Sequence, residues 1–326
     1  MRIVVTGGAG FLGRKLARAI LDRGELTDAT GAIRDVRELV LVDVAAAPAF
    51  DDPRVRIVAG DLADTTLVSG VFEAPVDSIF HLAAVVSGEA EQDFDLGWRV
   101  NVDATRLWLE ACRRLEAPPK FVFTSSVAVF GGRLPDAVPD DQELTPQSSY
   151  GAQKAVGELY VHDYTRKGFV DGRSLRLPTV SVRPGKPNKA ASSFASGIVR
   201  EPLAGIPAPC PVPPETRMWL ISPRNAIANL LVGHEAPAER FGYKRAVNVP
   251  GISVTVGEMV AALRRVGGDA AADRVTWQLD AAIDRIVRTW PRDFDPVFAR
   301  SLGMQADADF DAIIRQYIAD EIGTLR

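Results

Sequence analysis

Cysteine, histidine and long apolar runs are all scarce in this chain, and each scarcity removes a class of function. Its two cysteines, Cys112 and Cys210, lie far apart with no Cys-x-x-Cys, which excludes a disulfide framework or a dithiol centre. Both read as reduced, buried thiols. The three histidines, His81, His162 and His234, show no metal-ligand spacing, so no metal site is expected. No apolar run reaches the ~20 residues that span a bilayer, and no membrane association is expected. A formal net charge of −4 over 326 residues is too weak a field to invite nucleic acid or an anionic surface. Internal repeats and low-complexity segments are missing as well. The opening run Met-Arg-Ile-Val-Val-Thr-Gly enters a strand and a glycine turn at once. It leaves no room for the charged and apolar regions of a signal peptide, and a cytoplasmic location is expected.

What is present is an alternation of short apolar runs with amphipathic stretches. Ile3–Val5, Leu39–Val42, Arg56–Ala59, Ser78–His81 and Phe121–Ser125 read as strands, and Arg173–Val182 as strand-like. Leu12–Arg23, Val100–Leu115 and Tyr150–Lys167 read as the helices between them. Apolar strands separated by helices predict a parallel sheet covered on both faces, hence a Rossmann-type doubly wound α/β fold. Beyond Val182 the composition shifts. Residues 183–221 are rich in proline and glycine and predict irregular chain. Val247–Pro250 reads as a further strand, and Thr255–Val266 and Asp307–Ile322 as amphipathic helices. The expected organisation is a nucleotide-binding domain over 1–182, to which 222–253 returns. A smaller C-terminal substrate-binding lobe follows from 183–221 and 254–326.

Thr6-Gly7-Gly8-Ala9-Gly10-Phe11-Leu12-Gly13 lies where the first strand meets the first helix. Gly7 permits the tight turn, Gly10 lets backbone approach a pyrophosphate, and Gly13 lets helix and sheet pack closely. The helix start at Phe11 and Leu12 then offers N–H groups and a positive dipole end to phosphate. Asp43 ends the second strand, where its carboxylate suits the adenosine ribose hydroxyls and repels a 2′-phosphate, so NAD is expected over NADP. Its distance from Gly13 is longer than the usual ~20 residues, and an insertion within Glu25–Arg37 accounts for that. Asp61, followed by Leu62, suits the adenine amino group. Ala83, after His81, suits backbone running beside the cofactor. His81 itself reads as a packed histidine.

Tyr150 and Lys154 share a helix face at i and i+4. A phenol with a pKa near ~10 is a poor base at neutral pH, and a neighbouring cation favours its phenolate. Strand-end Ser126, with Ser125 as the neighbouring alternative, can hydrogen-bond a substrate oxygen beside Tyr150. Asn101, on the preceding helix, completes the set.

Together these motifs resemble the extended short-chain dehydrogenase/reductases, the superfamily of NAD-dependent epimerases and dehydratases, over nearly the whole chain. The resemblance implies that Tyr150 is the general base, Lys154 its tuner, Ser126 the orienting hydroxyl, and Asn101 part of a proton relay or a helix kink. It also implies a homodimer through the helices near residues 100–115 and 150–167. Phe130 departs from the pattern, since many members have tyrosine there.

The run Arg173–Asn188, Ala190–Gly197 and Val86–Ala90 resembles the branch of that superfamily that oxidises a four-carbon sugar acid, D-erythronate, at C2 with NAD. A small sugar acid needs a cation for its carboxylate and polar groups for its hydroxyls. Arg183 suits the first role; Ser87, Asn188 and Ser192 suit the second, with Lys186 nearby. Trp219 and Arg224 are candidates to cover the pocket, and Arg176 reads as structural. The alternative is a nucleotide-sugar epimerase or dehydratase with tightly bound NAD.

Overall fold

The computed structural model describes residues 1–45, 50–185 and 190–323. They form two compact units. The first comprises Met1–Ser126, Ser148–Arg176 and Ile227–Val247; the second comprises Val127–Gln147, Leu177–Ala226 and Asn248–Arg326.

The first unit is built on a seven-stranded sheet. In chain order its strands are β1 (Arg2–Thr6), β2 (Glu38–Asp43), β3 (Val55–Ala59), β4 (Ser78–His81), β5 (Lys120–Ser126), β6 (Asp171–Leu177) and β7 (Ala246–Asn248). In space the order is β7-β6-β5-β4-β1-β2-β3. β1 runs parallel to both of its neighbours, with Val5 opposite Leu41 on β2 and Phe80 on β4. The β4–β5 and β2–β3 pairs are parallel too. Strand order reverses direction between β1 and β4, and such a switch point opens a crevice at the strands' carboxyl ends.

Burial on both faces explains the continuous apolar runs: every residue of β1 is buried. The principal helices are α1 (Phe11–Arg23), α2 (Ala104–Cys112) and α3 (Ser149–Arg166). Trp108 and Leu109 of α2 pack with Val4, Val40, Ile79, Phe121 and Phe123 in one core. Glu25–Thr27 and Ile33–Asp35 form an antiparallel ribbon between α1 and β2, which supplies the extra length between Gly13 and Asp43.

The chain ahead of α2 is more helical than its pattern suggests. Ser87–Gln92 and Phe94–Trp98 are short helices, and Arg99–Asp103 is a π-helical turn leading into α2. The widened turn accompanies Thr105 Oγ1, which donates back to Asn101 O at 2.8 Å.

A seam of buried cations joins the late segment to the sheet. The helix Pro223–Glu235 ends with carbonyls that lack intrahelical partners. Arg173 Nη1 donates to Gly233 O (2.9 Å), His234 O (2.8 Å) and Ala236 O (3.0 Å), and Lys120 Nζ donates to His234 O (2.9 Å). Cations are favourable at this negative end of the helix dipole.

The second unit holds a three-stranded sheet in which Arg217–Ile221 pairs in parallel with Thr179–Val180 and antiparallel with Ile252–Thr255. Residues 183–221 are not irregular throughout. Phe194–Leu203 is a helix whose Phe194, Ala195, Ile198 and Val199 enter the core with Met218, Leu220, Met259 and Ile314. Its Pro202 sits in the last turn and interrupts little; the proline count hid this apolar periodicity. Val138–Pro139 pairs with Phe294–Asp295, and the Phe130 ring packs tilted against Phe294, 5.7 Å between centroids. Residues 127–147, grouped with the nucleotide domain on sequence pattern, therefore cluster with the second unit.

Candidate active site

The glycine turn leaves β1 with Gly7 at φ +73° and closes through Gly10 N–H donating to Gly7 O at 3.1 Å. A Cβ on Gly13 would stand 2.1 Å from Gly7 O, and one on Gly7 would stand 2.9 Å from Ala83 N. Only bare backbone fits. The N-terminus of α1, where Phe11 and Leu12 begin the helix, has no side-chain cap and no acidic residue in its first turn. An uncapped, positively polarised helix start behind glycine is a site for an anion.

Asp43 stands at the tip of β2 beside this turn. Its Oδ2 accepts from Ala9 N at 3.0 Å and its Oδ1 from Ala45 N at 3.2 Å. Asp61 follows β3; it accepts from Ala63 N at 2.9 Å and pairs with Arg99. These bonds hold its carboxyl below the usual range. Leu62 is buried, with its carbonyl accepting from Trp108 Nε1 at 3.2 Å. Ala83 N donates to Thr6 Oγ1 at 3.3 Å, which fixes the backbone just beyond β4. His81 bonds to Thr6 Oγ1 at 3.0 Å and Thr105 Oγ1 at 3.2 Å. Burial, then the charge of Lys154, pushes its pKa down to about 3. It is a neutral, packed histidine.

α3 starts at a Ser148 cap, whose Oγ accepts from Gly151 N at 3.2 Å. Tyr150 lies in the first turn and is half-buried. Lys154, one turn on, is 2% exposed, with Nζ donating to Thr124 O at 2.9 Å. The ammonium stands 5.7 Å from the Tyr150 ring centroid and 4.7 Å from that of Phe123. Burial pushes its pKa down to about 7, while the Glu158 charge works the other way.

Ser125 and Ser126 diverge. Ser125 is buried, and its hydroxyl donates to Glu158 Oε1 at 2.5 Å. Arg176 closes on the same carboxylate through Nε at 2.9 Å and Nη2 at 2.7 Å. Ser126, next along and on the opposite face of the strand, is half-buried at the carboxyl end of β5. Asn101, in the π-turn, is buried; its amide engages Val85 N, Val85 O and Gln153 Oε1.

Ser87 opens the helix Ser87–Gln92 and is half-buried. In the second unit Arg183 Nε donates to Val180 O at 3.2 Å, and Ser192 lies in the turn Ala191–Ser193. Asn188 and Lys186 lie outside the described residues. Trp219 is buried against Phe294, 5.3 Å between ring centroids. Arg224 is bound to both Asp320 carboxylate oxygens, so it ties two elements of the second unit together. Reading the sequence missed Gln153 and Glu158. A polar residue adjacent to Lys154 and a carboxylate at i+4 from it were the available signals.

Residues 3–215 match the NAD dependent epimerase/dehydratase family. The chain belongs to this family. It is 57% identical over 320 residues to D-erythronate dehydrogenase of Cupriavidus necator, covering 98% of each chain. It is 44% identical to D-erythronate dehydrogenase of Haemophilus influenzae, covering 98% of this chain and 99% of that one. The crystal structure of the nucleoside-diphosphate-sugar epimerase from Agrobacterium tumefaciens is similar at a TM-score of 0.93 and 43% identity, covering 99% of this chain and 95% of that one. The resemblance drawn from the motifs is therefore met by the family and by these relatives. This member of the epimerase/dehydratase family is an NAD-dependent dehydrogenase of the extended short-chain type. Its residues fit the cofactor: the bare glycines let the turn fold back tightly on itself and on Ala83, and the uncapped start of α1 behind that turn suits an anion such as a pyrophosphate.

Proposed function

We propose that this enzyme oxidises D-erythronate at C2 to 2-dehydro-D-erythronate, with Tyr150 as the general base. The observation that carries the mechanism is Lys154, buried one turn after Tyr150 and fixed on Thr124 O. The choice of substrate is supported by the two D-erythronate dehydrogenases.

NAD, when bound, supplies the hydride acceptor. Gly7, Gly10, Phe11, Leu12 and Gly13 would cradle its pyrophosphate, Asp43 would hold the adenosine ribose, and Asp61, Leu62 and Ala83 would line the remainder. Lys154 adds positive charge beside the phenol and favours its ionised form. Tyr150 then takes the proton of the C2 hydroxyl while the hydrogen on C2 leaves as hydride, giving a 2-keto acid. Ser126 hydrogen-bonds the same oxygen and orients it. Ser125 is committed to Glu158, which favours Ser126 for this role. Arg183 provides a cation for the carboxylate, and Ser87, Asn188 and Ser192 provide polar contacts for the hydroxyls. Fixed placement of donor and acceptor supplies much of the acceleration. The homodimer expected from the superfamily would cover Leu159, which α3 leaves 65% exposed.

A second reading is an epimerase or dehydratase acting on a nucleotide sugar, favoured by the similarity to the Agrobacterium nucleoside-diphosphate-sugar epimerase. Purified protein with NAD and a panel of four-carbon sugar acids should generate NADH on D-erythronate. Silence across that panel, with turnover of a nucleotide sugar, selects the second reading. Tyr150→Phe should abolish turnover and retain NAD binding; an active variant would remove Tyr150 as the base.

A further inference from the structure

Gln153, immediately before Lys154, is fully buried, and no role proposed above uses it. Its Oε1 accepts from Asn101 Nδ2 at 2.7 Å. Asn101 spends the rest of its amide on one residue: Oδ1 accepts from Val85 N at 2.8 Å, and Nδ2 donates to Val85 O at 3.1 Å. Val85 lies between Ala83 and Ser87. Two amides thus tie together α3, the π-turn and the segment after β4.

On its other side Gln153 is held by volume. Among the described residues its Nε2 has no hydrogen-bond partner, and a Cβ on Gly97 would stand 2.6 Å from that nitrogen. An unpaired buried donor is unfavourable, and an apolar side chain of the same volume would avoid it. Packing alone therefore does not account for an amide here. What the amide adds is an acceptor for Asn101, whose two N–H groups are both engaged.

We propose that Gln153 is a positioning residue: through Asn101 it fixes the Val85 segment against α3, and so sets where Ala83 and Ser87 stand relative to Tyr150 and Lys154. Asn101 is then a clamp on backbone. The link to catalysis rests on the function proposed above; the clamp itself does not.

Gln153→Met keeps the volume and removes the acceptor. Gly97→Ala presses on the Gln153 amide, with its Cβ 2.6 Å from Nε2 and 3.1 Å from Oε1. Hydrogen–deuterium exchange of the Val85 amide needs no substrate and should accelerate about tenfold in either variant, the scale of one lost hydrogen bond. In Gln153→Met, kcat/KM for D-erythronate should fall about tenfold with little change in thermal midpoint. Adding Gln153→Met to Asn101→Ala should slow the enzyme no further than Asn101→Ala alone. Unchanged exchange at Val85, or kinetic losses that multiply in the double variant, overturns the proposal. If Gln153→Met does not fold, the exchange rate in Gly97→Ala decides. A wild-type enzyme inactive on D-erythronate would sink the substrate assignment, while the exchange measurement still tests the clamp.

Discussion

Replacing Lys154 with methionine should give a more stable and nearly inactive enzyme. The ammonium is 2% exposed, and burial lowers its pKa from 10.5 to about 7. At ~1.36 kcal/mol per pH unit, carrying this lysine into the fold costs about 5 kcal/mol at neutral pH and below. Methionine removes that cost but leaves Thr124 O without its donor, a loss of about 1–3 kcal/mol. The expected net gain is about 2–4 kcal/mol at pH 7. The pH dependence has a definite sign. Between about 7 and 10.5 the unfolded chain holds the Lys154 proton more tightly than the fold does, so raising the pH stabilises the wild type. The advantage of Lys154→Met should therefore shrink by up to about 1.4 kcal/mol for each pH unit above 7. Lys120, lowered to about 8 by burial, titrates in both proteins and cancels in the difference. Denaturant melts of the two proteins at pH 7 and pH 9 supply the measurement. Parallel curves at both values, or a variant less stable at pH 7, would refute the reasoning. Turnover should drop by about 10²-fold or more, because the phenol loses its neighbouring cation.

Acid should unfold the protein through its buried histidines. Burial holds His81 at about 3 and His234 at about 4, against 6.5 when free, so stability is lost as the pH falls from 6.5 towards 4. A thermal midpoint that stays flat between pH 7 and pH 5 would contradict this. Gly13→Ala places a Cβ 2.1 Å from Gly7 O and should weaken NAD binding at least about tenfold by calorimetry, or prevent folding; wild-type affinity would show that the turn can relax. Arg176→Met strands the buried Glu158 carboxylate and should cost about 3–5 kcal/mol in denaturant melts. The double variant with Glu158→Met should recover most of that loss, and a double as unstable as the single would assign it to packing.

The parts of the fold legible in the sequence are those with a local cause. β1 and β2 announce themselves as apolar runs because both faces are covered, and Gly13 because nothing else fits against Gly7 O. Tyr150 and Lys154 are legible as a helical pair. What sequence could not show depends on partners distant in the chain. Ser125 and Ser126 are the same residue type; only Glu158 and Arg176 distinguish them. Gln153 reads as a polar position on a helix until Asn101 and Gly97 close over it. Residues 127–147 look like a loop leaving β5, and their place is set by the pairing of Val138–Pro139 with Phe294–Asp295 far downstream.

The cation seam has a consequence for synthesis. Arg173 and Lys120 emerge from the ribosome well before residues 233–236, whose carbonyls receive them. Until then two charges destined for full burial have no acceptors there, and the nucleotide-binding half remains open at one side. A fragment ending at residue 182 would carry the glycine turn and all four catalytic candidates, yet would expose this unfinished edge and invite aggregation. The seam thus closes only after residue 236 of 326, when more than two thirds of the chain has been made.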